Sequence, residues 1–332
     1  MAGKEDLGGN VAALGAVAIG RNEGDRLKAC LRSLVALCRR VVYVDSGSND
    51  GSVEFARQLG VGVVELDRSV PFTAARARNA GFEALMQDGP LDFVQFVDGD
   101  CTVADGWLGA AIAALQADPG LGLVTGWRSE IHPEASVYNA MCEVDWHRPA
   151  GPIATCGGDM MVRVSAFRQV GGFNPSVIAA EDDEFCLRLA KAGWRLERLP
   201  LPMTRHDANM HSFAAWWRRT IRDGHGYAQV GRMHPPHFRR HRMRVWAYGL
   251  ALPLLLLLGL ALFLPLALLV AALYVLSWLR TAQGLMRGGL ARGMALKQAA
   301  LLTLSKIPNL IGMSIYHRRR RAGDDMRIIE YK

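Results

Sequence analysis

Residues 93–100 read FVQFVDGD, an apolar run that ends in two carboxylates one residue apart, Asp98 and Asp100. An earlier run of the same character, VVYVD at 41–45, ends in Asp45. Amphipathic segments separate these runs from two further apolar runs, at 15–20 and 61–66. Continuous apolar strands that alternate with amphipathic helices predict a mostly parallel sheet with helices on both faces.

The aspartates follow the strands where such a sheet binds its ligands. Ligands of open α/β sheets bind beyond the carboxyl ends of the strands, and Asp45 and Asp98 stand directly at those ends. The pair Asp98 and Asp100 suits a hard divalent cation, Mg²⁺ or Mn²⁺, which keeps coordination positions for phosphate oxygens. The alternative is a turn aspartate that caps the next helix. The position after a buried strand favours the metal site.

A second acidic group, Glu181-Asp182-Asp183-Glu184, precedes the helical segment FCLRLAKAGW. Four carboxylates in one turn are more than the helix macrodipole requires at an N-terminus. Crowding of like charges favours a carboxylate that takes up a proton near neutral pH, which is the property of a general base. His206 and His211 follow, and a neutral imidazole could complete a metal site.

Two common phosphate-binding motifs are absent from the sequence. The chain contains no G-x-x-x-x-G-K-[ST], and no G-x-G-x-x-G follows the first apolar run. These absences argue against a P-loop NTPase and against a dinucleotide-dependent oxidoreductase. The chemistry is therefore expected from carboxylates.

Charge divides the chain into an acidic part and a basic part. Residues 1–214 hold 20 Lys and Arg against 27 Asp and Glu, whereas residues 215–332 hold 19 against 4. Within the basic part, residues 245–279 carry no charged side chain. As one helix this run would measure about 52 Å, against about 30 Å of bilayer hydrocarbon. We therefore expect two membrane passes joined by a turn around Gly259 and Pro265.

Positive charge on both sides of the apolar run places both of its ends on the cytoplasmic side. A further stretch, Leu296–Tyr316, holds interior lysines and closes on four arginines at 318–321. This pattern favours an amphipathic interfacial helix over a third pass, and membrane lipids over nucleic acid as its partner. Six dispersed cysteines without a C-x-x-C pair fit a reducing compartment, and the N-terminus has no basic region of a signal peptide. We expect a plasma or inner membrane protein with a cytoplasmic catalytic domain.

Seven ordered stretches make the first 214 residues resemble family 2 glycosyltransferases, which are inverting nucleotide-sugar enzymes. They are VAIGRNEGDRL, VVYVDSGSNDGS, TAARARNAGF, VQFVDGDC, CGGDMMVRVSAFRQVGGFN, AEDDEFCLRLAKAGW and TRHD. The resemblance implies an α/β fold of the GT-A type, a Rossmann-like mixed sheet with helices on both faces, followed here by membrane helices. The expected parts are a catalytic domain at 1–214, a basic Trp- and Arg-rich interfacial connector at 215–244, and a membrane hairpin with an amphipathic basic region at 245–332.

The resemblance also implies roles for individual residues. Asp182 would be the catalytic base, and Asp100 and His206 would bind the metal, Mn²⁺ or Mg²⁺. The donor would be bound by Gly20, Asn22, Glu23, Asp45, Arg78 and Asp98. The pocket for the sugar and the acceptor would include Gly158, Asp159, Glu181, Trp216 and Trp217.

The implied reaction moves a sugar from a nucleotide-diphosphate sugar, with UDP favoured over GDP and dTDP, to a hydroxyl of a lipid-linked or membrane-associated glycan. Two features depart from the family pattern. Asp45 is followed by Ser46 where a second aspartate is frequent, and no glutamine precedes Trp216-Trp217 at the spacing of the Q-x-x-R-W motif of processive members. The second departure favours transfer of a single sugar. A non-catalytic membrane subunit and a sugar-phosphate nucleotidyltransferase are the alternatives, although GRNEGDRL is a poor first loop for the latter.

Overall fold

A computed structural model describes residues 13–329 of the 332-residue chain and divides them into two compact units. The first unit contains residues 13–131, 146–175 and 185–207, and the second contains 132–145, 176–184 and 208–329. This division differs from the three consecutive parts expected from the sequence. The difference arises because two short internal segments group with the C-terminal residues rather than with their neighbours in the chain.

The first unit is built on one mixed sheet, whose nine strands all lie within residues 13–329. The strand order is β3-β2-β1-β4-β8-β6-β9-β5, and β7 pairs with β9. Strands β1 to β4 are parallel, whereas β8 runs antiparallel to both β4 and β6. The strands are β1 (Leu14–Gly20), β2 (Arg40–Asp45), β3 (Gly62–Glu65), β4 (Phe93–Asp98), β5 (Cys101–Val103), β6 (Leu121–Glu130), β7 (Gly151–Pro152), β8 (Met160–Arg163) and β9 (Arg195–His206). The predicted mixed α/β sheet is confirmed.

Helices pack on both faces of this sheet because successive strand residues point to opposite sides. One cluster joins Ala16, Ala18 and Tyr43 to helices α1 and α4, and the other joins Val17 and Val44 to helices α3, α6 and α7. The helices of the chain up to this point are α1 (Asp25–Leu37), α2 (Ser52–Gln58), α3 (Ala74–Gln87), α4 (Trp107–Ala117), α5 (Val137–Trp146), α6 (Val164–Gln169) and α7 (Glu181–Lys191). The arrangement brings the carboxyl ends of β1, β2 and β4 to one edge.

The second unit contains a tight crossing of two helices. Helices α8 (Phe213–Met233) and α13 (Lys306–Ala322) meet where Gly224 and Gly312 allow the two backbones to touch. A methyl group at Gly312 would collide with the carbonyl oxygen of Ile221, so only glycine fits. The stretch Leu296–Tyr316, for which an amphipathic interfacial helix was expected, is divided between two helices. The chain forms α12 (Arg292–Leu304), breaks at Ser305, and buries one face of α13 in protein contacts.

Two helices of the second unit are long and apolar enough to cross a membrane. The first, Arg239–Leu262, joins α9 (Arg239–Trp246), a π-helical turn (Ala247–Ala251) and α10 (Leu252–Leu262). The second is α11 (Leu264–Arg287). Most of their apolar surface is exposed, since only 17% and 11% of their most apolar windows are buried. The helices break at Phe263, and Gly259 lets the two helices approach closely at Ala267.

His225 is a buried histidine at the crossing of α8 and α13. Its ring packs edge-on against Tyr316 at 5.4 Å, and neither ring nitrogen has a hydrogen-bond partner within residues 13–329. Burial, helped by the charge of Arg319, lowers the pKa of His225 from 6.5 to about 4. The folded unit therefore binds a proton at His225 less tightly than the unfolded chain does.

We expect the stability of the protein to fall as the pH drops from 6.5 towards 4. In that range the histidine takes up a proton in the unfolded chain, whereas the buried His225 of the folded chain stays neutral. This one group accounts for about 3 kcal/mol across that range. The change His225→Phe keeps an aromatic ring against Tyr316 and removes the titration. Thermal unfolding of the detergent-solubilised chain at several pH values should show a shallower acid loss in the variant. Equal slopes in the two proteins would contradict the expectation.

Candidate active site

Strand register brings three functional side chains side by side at the end of the sheet. His206, the last residue of β9, pairs with Cys101 of β5 on one side and with Glu130 of β6 on the other. Asp100 directly precedes β5, and its carbonyl oxygen accepts a hydrogen bond from the backbone N–H of Asp207. The D-x-D segment and the TRHD segment, which lie about a hundred residues apart, are thus held together by backbone pairing.

The imidazole of His206 lies between two carboxylates. Its Nε2 is 3.3 Å from Oδ2 of Asp100, and its Nδ1 is 3.1 Å from Oε2 of Glu130. Burial lowers the pKa of His206, but the two carboxylates outweigh burial, so the net pKa lies above the ordinary value. Trp146 covers the ring edge-on at 4.5 Å. Glu130 therefore orients the imidazole so that Nε2 faces Asp100.

Asp100 and His206 fit a divalent cation. A neutral imidazole that donates Nδ1–H to Glu130 presents the Nε2 lone pair to the Asp100 carboxylate, and two facing acceptors are the arrangement that a cation satisfies. Cys101 lies in the same cluster. Burial raises the pKa of the Cys101 thiol well above its ordinary value, and Mn²⁺ and Mg²⁺ prefer oxygen and imidazole ligands to a thiol. Asp100 and His206 are therefore the residues of this cluster that could hold such a cation, with Glu130 hydrogen-bonded to the far side of the imidazole.

Asp98 is the centre of an ion-pair network. Its Oδ1 lies 2.7 Å from Nη2 of Arg78, and its Oδ2 lies 3.2 Å from Nη2 of Arg128. Burial raises the pKa of Asp98, but the two guanidinium groups outweigh it and hold the pKa below the ordinary value. Asp159 also binds Arg128, at 2.7 Å, and accepts a hydrogen bond from the backbone N–H of Asp98. Asp98 is therefore fixed as an anion.

Two residues expected to touch the donor or the sugar have other contacts. The side chain of Arg78 is 2% exposed, and it holds Asp98 rather than offering its guanidinium to solvent. The side chain of Asp159 has no exposed surface, because Arg128, the Asp98 backbone and the Thr204 hydroxyl occupy it. Both residues hold Asp98 in place in this structure.

Arg128 and Glu130 were missed in the sequence reasoning. Both lie near the end of β6, in the segment LGLVTGWRSE. An apolar strand that closes on charged residues is the same signal that singled out FVQFVDGD. It could have identified Arg128 and Glu130 as candidates, although only the strand pairing assigns Glu130 to His206.

The loops after β1 and β2 are joined by hydrogen bonds at the same edge of the sheet. Asn22, at φ 54°, receives a hydrogen bond from the backbone N–H of Asn49 on its side-chain oxygen, and its own N–H donates to Ser48. Gly20 accepts from the backbone N–H of Ser46. Asp45 is buried, and its carboxylate accepts from the N–H groups of the following turn at 2.8 Å. The carboxylate of Asp45 thus holds the turn that follows β2.

Glu23, the remaining donor-binding candidate, lies in the loop that opens α1. It makes an ion pair with Arg26 at 2.6 Å. Its Cγ would lie 3.3 Å from a methyl group added at Gly20 and 3.5 Å from one added at Gly99. Gly99 itself has no room for a side chain, because a methyl group there would lie 2.9 Å from the carbonyl oxygen of Ile19. The loop after β1 therefore contacts the D-x-D segment directly.

Gly158 lies against the Arg78–Asp98 ion pair, where a methyl group would collide with the Arg78 guanidinium and lie 3.0 Å from Oδ2 of Asp98. We expect Gly158→Ala to break this ion pair and to weaken donor binding at least about tenfold, since an overpacked core cannot relax without moving Asp98. Gly157→Ala is the matched control, because no atom of residues 13–329 outside its chain neighbours lies within 4 Å of the methyl group that it would add. Titration calorimetry with the donor checks both variants. Equal donor affinities in the two variants would refute a role for this contact.

The second unit holds the other candidates. The acidic turn opens α7, where the backbone N–H of Asp183 donates to Oδ1 of Asp182 at 2.9 Å, and Glu181 is buried. Trp216 is 5% exposed and packs against Phe213. Trp217 is half-buried beside it.

Two family models match the chain. Residues 17–169 match Glycosyl transferase family 2, and residues 98–291, more than half of the chain, match Glycosyl transferase family group 2. Together the matches cover both the D-x-D segment and the first apolar helices.

The chain is also similar in sequence to three named proteins. The chain is 30% identical over 228 residues to a pre-mycofactocin glycosyltransferase of Mycobacterium tuberculosis, a match that covers 65% of this chain and 47% of the relative. It is 25% identical over 222 residues to glycosyltransferase AglE of Haloferax volcanii, covering 63% of this chain and 71% of that protein. Succinoglycan biosynthesis protein ExoA of Rhizobium meliloti is 27% identical over 191 residues, which cover 53% of this chain and 57% of ExoA. The chain thus spans about half the length of the first of these relatives.

A solved structure has the same fold. Mannosyltransferase PcManGT of Pyrobaculum calidifontis, determined with GDP-Man and Mn²⁺, superimposes with a TM-score of 0.59 and covers 92% of this chain and 87% of its own. Its sequence identity is 18%, so the likeness concerns the fold.

Proposed function

Because the chain belongs to glycosyl transferase family 2, we propose that it transfers a sugar from a nucleotide-diphosphate sugar to a hydroxyl of a membrane-associated acceptor. The observation that carries the proposal is the constellation of Asp100, His206 and Glu130 beside the Asp98 network at the carboxyl edge of the sheet. A nucleoside diphosphate is the leaving group that such a cation site serves.

The residues of the first unit would bind and orient the diphosphate. Asp100 and His206 would hold Mn²⁺ or Mg²⁺, which when bound neutralises the charge that develops on the leaving diphosphate. Arg78 and Arg128 keep Asp98 ionised and immobile, so its carboxylate is oriented before the donor arrives. The loops after β1 and β2 line the same edge, and UDP remains our favoured nucleotide.

Asp182 would act as the base. It would accept the proton of the acceptor hydroxyl as that oxygen attacks the anomeric carbon, and displacement in a single step would invert the anomeric centre. The position of Asp182 supports this role. Asp182 lies in the first turn of α7 beside three other acidic residues, and like charges close together favour a carboxylate that takes up a proton.

The acceptor is proposed to be lipid-linked, because the second unit presents two apolar helices with exposed leucine-rich surfaces. Arginines stand at the outer ends of both helices, at 239–244 and at Arg280 and Arg287, and this excess of positive charge supports a cytoplasmic position for those ends. The four arginines of 318–321 would contact anionic lipid headgroups.

The test is hydrolysis and transfer with a panel of nucleotide sugars, using the full chain in detergent or nanodiscs with Mn²⁺. Turnover of one donor that disappears on chelation would support the proposal and identify the sugar. Absence of turnover and of metal-dependent binding with every donor would overturn it and favour a non-catalytic membrane subunit. Formation of a nucleotide sugar from a sugar phosphate and a nucleoside triphosphate would instead identify a nucleotidyltransferase.

A further inference from the structure

Two histidines face the acidic turn within the second unit. Nε2 of His234 is 3.4 Å from Oε1 of Glu184, and Nε2 of His237 is 3.8 Å from Oδ1 of Asp183. The Glu184 side chain is 1% exposed, and a buried carboxylate requires a hydrogen-bonding or cationic partner. His234 is within hydrogen-bonding distance of Glu184, whereas Nε2 of His237 makes no hydrogen bond within residues 13–329. Both histidines belong to the motif HPPH at 234–237, which has no role in the sugar-transfer chemistry described above.

The segment that carries these histidines is rigid and strained. Pro235 and Pro236 fix the backbone between them, and Phe238 has φ 55°, a left-handed conformation that a phenylalanine rarely adopts. The Phe238 ring is held by His237 at 4.1 Å and by Tyr227 at 4.8 Å. A strained residue that its surroundings hold in place is characteristic of a functional position.

This segment also joins two long helices. It follows the end of α8 and leads into α9, the start of the apolar helix Arg239–Leu262. Nη2 of Arg242 donates to the carbonyl oxygen of Pro235 at 3.0 Å, which ties the segment to α9. The acidic turn is therefore connected, through His234 and His237, to the beginning of the first apolar helix.

We propose that His234 and His237 are positioning residues that hold the acidic turn carrying Asp182 and fix it to the start of the membrane helix. The inference rests on the proposed function, because it assigns to these histidines the placement of the base. They would not touch the substrate. Glu184 and Asp183 are the carboxylates through which they act, and Asp182 lies next to them in the same turn.

The test compares His234→Gln and His237→Gln with the unchanged protein on the donor found in the panel. A displaced base should lower kcat about 10- to 100-fold and leave the KM for the donor unchanged, since misplacement of a catalytic group by about 1 Å has effects of that size. His132→Gln is the matched control. His132 also lies 3.8 Å from a carboxylate, that of Glu134, but both side chains are exposed.

Rescue by a lysine and a mutant cycle separate positioning from a general loss of structure. His234→Lys supplies a cation to Glu184 and should recover most of the kcat lost in His234→Gln. In the cycle of His234→Gln with Glu184→Gln, the double variant should lose no more activity than the more impaired single variant.

The outcomes distinguish this inference from the proposed function. If the unchanged protein hydrolyses no donor, the proposed function fails. If it turns over a donor and both glutamine variants match His132→Gln, or if the losses in the mutant cycle simply multiply, the inference about His234 and His237 is overturned and the proposed function stands.

Discussion

Asp182→Asn is expected to lower sugar transfer by about 10²–10⁴-fold, the usual contribution of a general base, while the affinity for the nucleotide sugar stays unchanged. The amide keeps the shape of the side chain, and its oxygen can still accept the hydrogen bond from the N–H of Asp183, so the first turn of α7 should be preserved. What the amide loses is the ability to take up the proton of the acceptor hydroxyl. Rates of transfer and calorimetric donor binding, measured on the same preparations, check both parts.

Asp25→Asn is the matched control for this change. Asp25 also lies in the first turn of a helix, α1, and its side chain is 94% exposed. The control separates the loss of a base from the loss of one favourable charge at a helix N-terminus, which contributes about 0.3–1 kcal/mol. A drop in donor affinity as large as the drop in rate would indicate that Asp182 serves structure or donor binding and not proton transfer.

Asp100→Asn is expected to abolish the dependence of donor binding on Mn²⁺. Asp100 is buried beside Nε2 of His206, and the substitution removes the negative charge from the two residues proposed to bind the cation. Removal of a residue that only orients a metal ligand lowers metal affinity about 10–100-fold, and the loss in Asp100→Asn should be larger. Glu130→Gln, which weakens the orientation of His206, should fall within that smaller range.

Electron paramagnetic resonance of free Mn²⁺ gives the metal affinity directly, and Trp146, 4.5 Å from His206, offers a fluorescence signal for the same site. Asp105→Asn removes an exposed carboxylate from the segment just beyond β5 and should leave the affinity unchanged. If Mn²⁺ binds Asp100→Asn as tightly as the unchanged protein, the cation lies elsewhere and the role given to this cluster is wrong.

The first half of the sheet could be predicted because its strands identify themselves locally. Each of β1, β2 and β4 is a mainly apolar run next to an amphipathic helical segment in the chain, and parallel strands buried on both faces require that pattern. The order of β8, β6, β9 and β5 could not be predicted in this way. Those strands pair with partners far along the chain, and pairing between distant strands leaves no local signal.

The packing of the C-terminal region was hidden for a similar reason. An interior lysine and a cluster of arginines give α13 an amphipathic composition, which is equally typical of a helix on a membrane and of a helix on protein. The glycines at the crossing show that one face of α13 packs on protein, since Gly224 and Gly312 match only when α8 and α13 lie against each other.

The sequence by itself determined the family, the alternating strands and helices, the D-x-D carboxylates at a strand end, and the two apolar helices. Each of these features depends on residues that are neighbours in the chain. Only the tertiary structure decided what those residues touch. Backbone pairing of β9 with β5 and β6 brings His206 between Asp100 and Glu130, and burial turns Arg78 and Asp159 into supports for Asp98. Such assignments depend on long-range pairing and on access to solvent, and both are properties of the folded chain as a whole.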